Sequence, residues 1–259
     1  MSKLKDYLEY TLSVEYKRDE ALNDLVKDKS IAIIGPAPNL VGQGKGEFID
    51  SHDLVFRLGD PPVGFKGRYD RAIDYGKRTD VLVHSFNEHD RPCLDQDRDW
   101  LRSLKYMISP MVWAGDASIN ARWLNVLNVP WHHVPDHHIK PGLYNLNDSL
   151  PNTGFIGILT MLNYDIKSMY ISGMTFYNMG KDYKVYRQHH ESTSRTIHES
   201  ESPYYFKEWF DEPKYQKEGF VWGKAHIPAN DIKHFREILK VKKHKDRIIL
   251  DEYLTENFV

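Results

Sequence analysis

Three stretches of this 259-residue chain hold residue types at spacings that can do chemistry. The first is "SIAIIGPAPNLVGQGKGEFIDSHDLVFRLGDPP", Ser30 to Pro62: an apolar run, a turn rich in glycine and proline, and a second apolar run. Such a layout holds phosphates and nucleotides, because backbone N–H groups in a tight turn can face an anion. Two familiar versions fail. A dinucleotide fingerprint needs G-x-G-x-x-G directly after the strand. Here Gly35 is followed by Pro36, Ala37 and Pro38, and Gly42, Gly44 and Gly46 come late and at the wrong spacing. A Walker A loop needs G-K-[ST], and Gly44-Lys45-Gly46 breaks it. The second stretch is "DQDRD", with Asp95, Asp97 and Asp99. It contains the D-x-D that metal-dependent transferases use for a diphosphate, but in a charge-rich stretch before Trp100 such acids read first as a solvated face. The third is the pair of histidine clusters "WHHVPDHH" (His132, His133, Asp136, His137, His138) and "QHHE". Adjacent histidines point in different directions on most backbones and no cysteine assists them, so no metal site is assigned.

Composition bounds the rest. A formal charge of -2 argues against a generic nucleic-acid binder. The one cysteine, Cys93, excludes an intrachain disulfide and fits a reducing compartment. The first 29 residues carry no long apolar run, which implies neither a signal peptide nor a membrane span. A peripheral membrane contact needs no such run. Six Trp and 16 Tyr suit a sugar-binding cleft and suit an ordinary core equally.

The elements that must position these residues alternate. Leu4 to Lys27 read as one amphipathic, charge-rich helix, within an N-terminal helical segment at 1–28. "SIAIIG", "DLVFRLG" and "TDVLVHSF" read as buried strands; "KYMISPM" and "VPWHHVPD" each read as strand and loop. "PNTGFIGILTMLNYD" reads as a helix with Pro and Asn at its start. "SMYISGMTFY" is a further strand ending on Gly173, and "IPANDIKHFREILKVKK" a late helix. The polar stretch 178–203 reads as a mobile lid loop. The expected fold is α/β: a single Rossmann-like domain over 1–259, with a mainly parallel central sheet flanked by helices.

Four segments resemble, in order, the motifs of the eukaryotic-type sialyltransferase family. Gly35, Asn39-Leu40 and "IDSHDLVFRL", extending through "GKRTDVLVHSF", resemble the large sialylmotif. "LPNTGFIGILTML", with Pro151, Asn152, Thr153 and Gly154, then "MYISGMTFY", resemble the small one. "PYYFKEWFD" resembles the third motif, with Tyr204 and Tyr205 as its tyrosine pair. "KAHIPAND" resembles the very short last motif, a His followed five positions on by an acid. The departures are specific. Pro36 replaces the first Asn of the family's Gly-Asn-Ser-Gly-Asn run, and Gly59, beside Asp60, replaces an Asn that commonly helps hold the nucleotide. Asp231 replaces Glu. The family's bridged cysteines fall at Ser30 and near Ile166.

The resemblance implies a GT-A-like glycosyltransferase variant that uses a CMP-sugar as substrate, with no cofactor and no metal. CMP carries one phosphate, which backbone N–H groups at a helix N-terminus and hydroxyls can stabilise. His226 is then the general base, because imidazole titrates near neutral pH. Tyr204 and Tyr205 donate to the departing phosphate. Gly35, Asn39, Asn152, Thr153, Gly154 and Gly173 line the donor site, with Asp231, Asp60 and Ser85 in support. Each has a plainer reading: Asn152 or Thr153 as a helix N-cap, Asn39 as a turn residue, Asp231 as charge for a helix's first turn. The expected reaction is inverting transfer of sialic acid from CMP-sialic acid to a glycan acceptor, a galactoside. The expected setting is the cytoplasm of a bacterium or a virus-infected host cell. CMP-Kdo as donor, a non-catalytic glycan- or nucleotide-binding protein, and a metal-dependent enzyme using Asp95 and Asp97 are the alternatives.

Overall fold

The computed structural model describes residues 19–59, 71–86, 94–109, 117–133, 152–176 and 228–259. Their strands form one seven-stranded sheet: β1 (Ser30–Ile34), β2 (Leu54–Leu58), β3 (Val81–Val83), β4 (Tyr106–Ser109), β5 (Trp131–His133), β6 (Ser168–Ser172) and β7 (Ile248–Leu250). The order is β5-β4-β3-β2-β1-β6-β7, and every pairing is parallel. Short strands of Ile, Val and Leu with both faces covered are what a parallel sheet requires.

The period-2 alternation divides the core. Ile31, Ile33, Leu54, Phe56, Val81, Val83, Met169 and Ile171 face one layer. That layer contains helices α1 (Glu20–Val26), α6 (Thr153–Leu162), α7 (Pro228–Lys240) and α9 (Glu252–Phe258). Ala32, Ile34, Val55 and Tyr170 face the other layer, with Ile49 of α2 (Gly46–Asp50) and Tyr75 of α3 (Ala72–Tyr75). Further along that face, Leu82 and Met107 meet Leu101 of α4 (Arg98–Arg102) and Leu124 and Leu127 of α5 (Ala117–Leu127). Helix α6 is buried from Gly154 to Leu162, which explains why it is apolar all round.

Two readings change. The single N-terminal helix expected from Leu4 to Lys27 does not run unbroken through Asp19. Asp19 is extended and its side chain accepts from Leu22 N at 2.8 Å, so a capped helix begins at Glu20. The preceding part of that expected helix lies outside the described residues. The sequence reading also lacked β7 and α9, a three-residue strand and a seven-residue helix that follow the basic α8 (Lys242–Lys245).

Candidate donor site at the sheet switch point

From β1 the chain builds the sheet toward β5, then returns to place β6 on the opposite side of β1. Ligands of open α/β sheets bind outside the carboxyl ends of the strands at such a reversal. Here that place lies between the ends of β1 and β6, at Gly35 and Gly173. The two backbones touch there. Gly35 N donates to Ser172 O and Ala37 N to Gly173 O, both at 2.9 Å. A Cβ on Gly35 would lie 2.2 Å from Gly173 O, and one on Gly173 would lie 2.3 Å from Gly35 O. Gly173 also has a φ of +67, which favours glycine. The sequence therefore needs both glycines to close this seam.

The loop leaving β1 is held from several sides. The Tyr75 hydroxyl donates to Ala37 O at 2.7 Å, and Gly44 N donates to Asp74 Oδ1 at 2.9 Å. Burial pushes the Tyr75 phenol well above its ordinary range, so it stays a donor. Asn39 sits in a short 3-10 turn, Pro38–Leu40, and its carbonyl accepts from Gln43 Nε2 at 2.6 Å. Its Nδ2 donates to Asp251 Oδ2 at 3.1 Å, while its Oδ1 is shielded from solvent and accepts no hydrogen bond.

Asp251 was absent from the sequence reading. It links β7 to α9, is buried, and also accepts from Ser172 Oγ at 2.6 Å, Gly173 N at 3.3 Å and Leu254 N at 2.7 Å. An Asp before an acidic first turn is an N-cap signal, and with Glu252 next in sequence it was available.

The N-terminus of α6 reaches the same end of the sheet. A Cβ on Gly154 would lie 2.8 Å from Met174 Cε and 3.1 Å from Leu58 Cδ1, residues that follow or end β6 and β2. Asn152 caps the helix, its Oδ1 accepting from Phe155 N at 2.9 Å. Its Nδ2 and backbone N donate to Asp231 Oδ2 at 2.6 and 3.1 Å. Asp231 is fully buried in the first turn of α7, so this pair joins the N-termini of two helices. The Asn152 amide is committed at both ends. Thr153 and Gly154 start the helix, where backbone N–H groups have no intrahelical acceptor. Ser85 leaves β3 between buried His84 and Phe86, in a turn where Phe86 N donates to His84 Nδ1 at 2.8 Å.

Thus Gly35, Asn39, Gly173, Asn152, Thr153 and Gly154 gather around the ends of β1, β2 and β6, and Ser85 leaves the neighbouring β3. Asp231 lies behind them, bonded to Asn152. His226, Tyr204, Tyr205, Asp60 and the 178–203 loop lie outside the described residues. Gly59 has a φ of +63 with nothing within 4 Å of a Cβ position. Asn tolerates left-handed backbone better than other side chains, so Gly and the family's Asn suit the same turn. Arg57, which the large-motif resemblance includes, is fully buried in β2; its Nε and Nη2 donate to Arg78 O at 3.0 and 2.8 Å. Burial lowers its pKa to about 10.

The rival chemistry finds other partners. Asp95 accepts from Trp123 Nε1 at 2.6 Å and pairs with Arg98 at 2.9 Å, and Asp99 pairs with Arg102. Among the described residues, no group of three or more His, Cys, Asp or Glu could hold a metal ion. Among them also, no helix is long and apolar enough to cross a membrane.

The fold is an open, all-parallel α/β sheet, and its candidate ligand seat is the β1–β6 switch point. A model of glycosyltransferase family 29, the sialyltransferases, matches residues 2–102. Among solved structures, a mammalian sialyltransferase in complex with Gal-beta-1-3GalNAc-ortho-nitrophenol is 16% identical, with a TM-score of 0.50. The match covers 96% of this chain and 79% of that one. The sialyltransferase CstII from Campylobacter jejuni, in complex with the substrate analogue cytidine-5'-monophosphate, is 15% identical with a TM-score of 0.52. It covers 90% of this chain and 84% of that one. No curated protein sequence matches. At these identities the structural likeness shows the fold. The family match over residues 2–102 falls on sialyltransferases, as the motifs implied, and the solved structures that share the fold are sialyltransferases too.

Proposed function

We propose that the protein is an inverting, metal-independent sialyltransferase that moves the acidic sugar of CMP-sialic acid to a glycan hydroxyl, specifically a galactoside. One observation carries the reading. The two segments that resemble the large and small sialylmotifs, around Gly35–Asn39 and Asn152–Gly173, meet at the sheet's switch point.

The chemistry follows from the residues. Orphan N–H groups at the start of α6 and the Tyr204 and Tyr205 hydroxyls stabilise the charge that grows on the leaving phosphate. A single phosphate carries less charge than a diphosphate, so amides and hydroxyls suffice. His226, two residues before α7, removes the acceptor hydroxyl's proton as the oxygen attacks the anomeric carbon, giving inversion in one displacement. Asp231 fastens that helix to Asn152, the cap of α6. Asp60 and Ser85 follow β2 and β3 and support the donor. The CMP and disaccharide glycoside in the neighbours' complexes favour the same ligand classes. Cys93 as a lone thiol fits the cytoplasm.

A CMP-Kdo donor is the second reading, favoured by Pro36 and by the space Gly59 leaves where the family has Asn. The test is CMP release in EDTA from CMP-sialic acid and CMP-Kdo, each with and without lactose. The expected result is release from CMP-sialic acid that rises with lactose and is lost in His226→Ala. Release from CMP-Kdo alone installs the second reading. Release abolished by EDTA refutes metal independence, and CMP binding without turnover on either donor points to a binding protein.

A further inference from the structure

Asp251 lies twenty residues beyond the last motif acid, Asp231, yet it touches the centre of the candidate site. Its two oxygens receive four donors: Asn39 Nδ2, Ser172 Oγ, Gly173 N and Leu254 N. A carboxylate only accepts, so the Asn39 amide has no choice of orientation: Nδ2 must face Asp251 and Oδ1 must face away. The turn is pinned as well, because the Asn39 carbonyl holds Gln43 and the neighbouring Leu40 is buried. What remains is Oδ1, shielded from solvent and without a partner, on the loop at the β1–β6 switch point.

An acceptor fixed there cannot serve a phosphate, whose oxygens are themselves acceptors. It fits a hydrogen-bond donor of the nucleoside, a ribose hydroxyl or the base's exocyclic amine. We propose that Asp251 is a positioning residue that locks the Asn39 amide with its Oδ1 presented as an acceptor for a nucleoside donor group. This rests on the CMP-sugar reading above.

The experiment is calorimetric titration of the full chain with CMP, 2'-deoxy-CMP, 3'-deoxy-CMP and UMP. In Asp251→Asn, Oδ1 still caps Leu254 while Nδ2 forces the Asn39 amide to turn over. CMP binding is expected to weaken about tenfold. A deoxy nucleotide that lacks the recognised hydroxyl should bind wild type and variant alike. UMP, whose O4 is an acceptor, should bind the variant better than wild type if the base amine is the recognised group. The four ligands thus separate ribose from base. Asn39→Asp sets two carboxylates face to face and should weaken CMP binding similarly. The double variant Asn39→Asp/Asp251→Asn exchanges the two groups. The amide at position 251 then donates to one oxygen of the carboxylate at position 39, and the other oxygen remains an acceptor. CMP affinity should return to within about threefold of wild type. Equal loss on all four nucleotides means general loosening and overturns the assignment, as does a double variant no better than either single one. Wild-type protein that binds none of the four overturns the CMP-sugar reading, and the assignment with it.

Discussion

The two ends of the sheet use the same residue types for opposite purposes. At the amino end, charge is closed off. Asp80 accepts from Val55 N at 2.9 Å and pairs with Arg78 at 2.7 Å and Lys105 at 2.8 Å. Arg78 in turn donates to the carbonyls of Asp50, His52 and Asp53. Ser30 stands where the family has a cysteine and donates to Asp53 at 2.7 Å, holding that carboxyl below its ordinary range. At the carboxyl end, Asp251 and Asp231 hold amides, a hydroxyl and backbone N–H groups. The backbone differs too. Left-handed non-glycine residues just before β1 and β5 are Asp28 and Asn128, types that tolerate it. Those in the loops after β3 and β6 are Phe86 and Phe176, buried aromatics at φ 50 and 49. Such strain costs on the order of 1–3 kcal/mol each and clusters where function needs it. One end fastens the sheet; the other aims side chains.

The largest break in that contrast should come from chemistry alone. His226→Ala is expected to cut CMP-sugar turnover by roughly 10²–10⁴-fold while CMP binding persists, measured by initial rates and titration on one sample. Next is the seam. Gly35→Ala must push a methyl into Gly173 O, and urea unfolding should show a loss of about 3 kcal/mol or more. At the amino end, Asp80→Ala leaves Val55 N without its acceptor and removes the carboxylate that Arg78 and Lys105 share. A loss of about 2 kcal/mol is expected, with CMP affinity unchanged; a matching fall in affinity would erase the distinction between the ends.

A smaller effect lies in the basic α8. His244 is buried there, and burial, with Arg247 and Lys243 next, lowers its pKa from 6.5 to about 4. Between those values the unfolded chain binds a proton that the folded chain refuses, so stability falls as pH drops from 6.5 to 4 and levels off below. Thermal midpoints of His244→Gln across that window should show a shallower slope than wild type. The smallest effect is expected of Lys242→Ala or Lys243→Ala, within about 0.5 kcal/mol, since these are exposed positions.

Much of the fold was legible. Runs such as "SIAII" and "LVFRL" can hardly be anything but buried parallel strands, and Asn152 before an apolar helical run is a local cap signal. The break at Asp19 is not legible in the N-terminal pattern, because the apolar stripe runs past Asp19 and its capping role depends on backbone geometry. β7 and α9 were missed because three apolar residues behind a basic run carry too little period to register. Asn39 and Gly173 could be chosen from motif spacing. Asp251 carries a local cap signal, but its contact with Asn39 does not show in sequence, because a contact spanning 212 residues leaves no periodicity in the chain.

Local order along this chain therefore determined the strands, the caps and the motif segments, since propensity, patterning and capping act over a few neighbouring residues. Tertiary structure alone decided that β6 lies beside β1, that Gly35 and Gly173 must share one seam, and that Asp231 and Asp251 arrive behind Asn152 and Asn39. Those are outcomes of how layers cover a sheet. Side chains far apart in sequence meet only once the strands between them have taken their order.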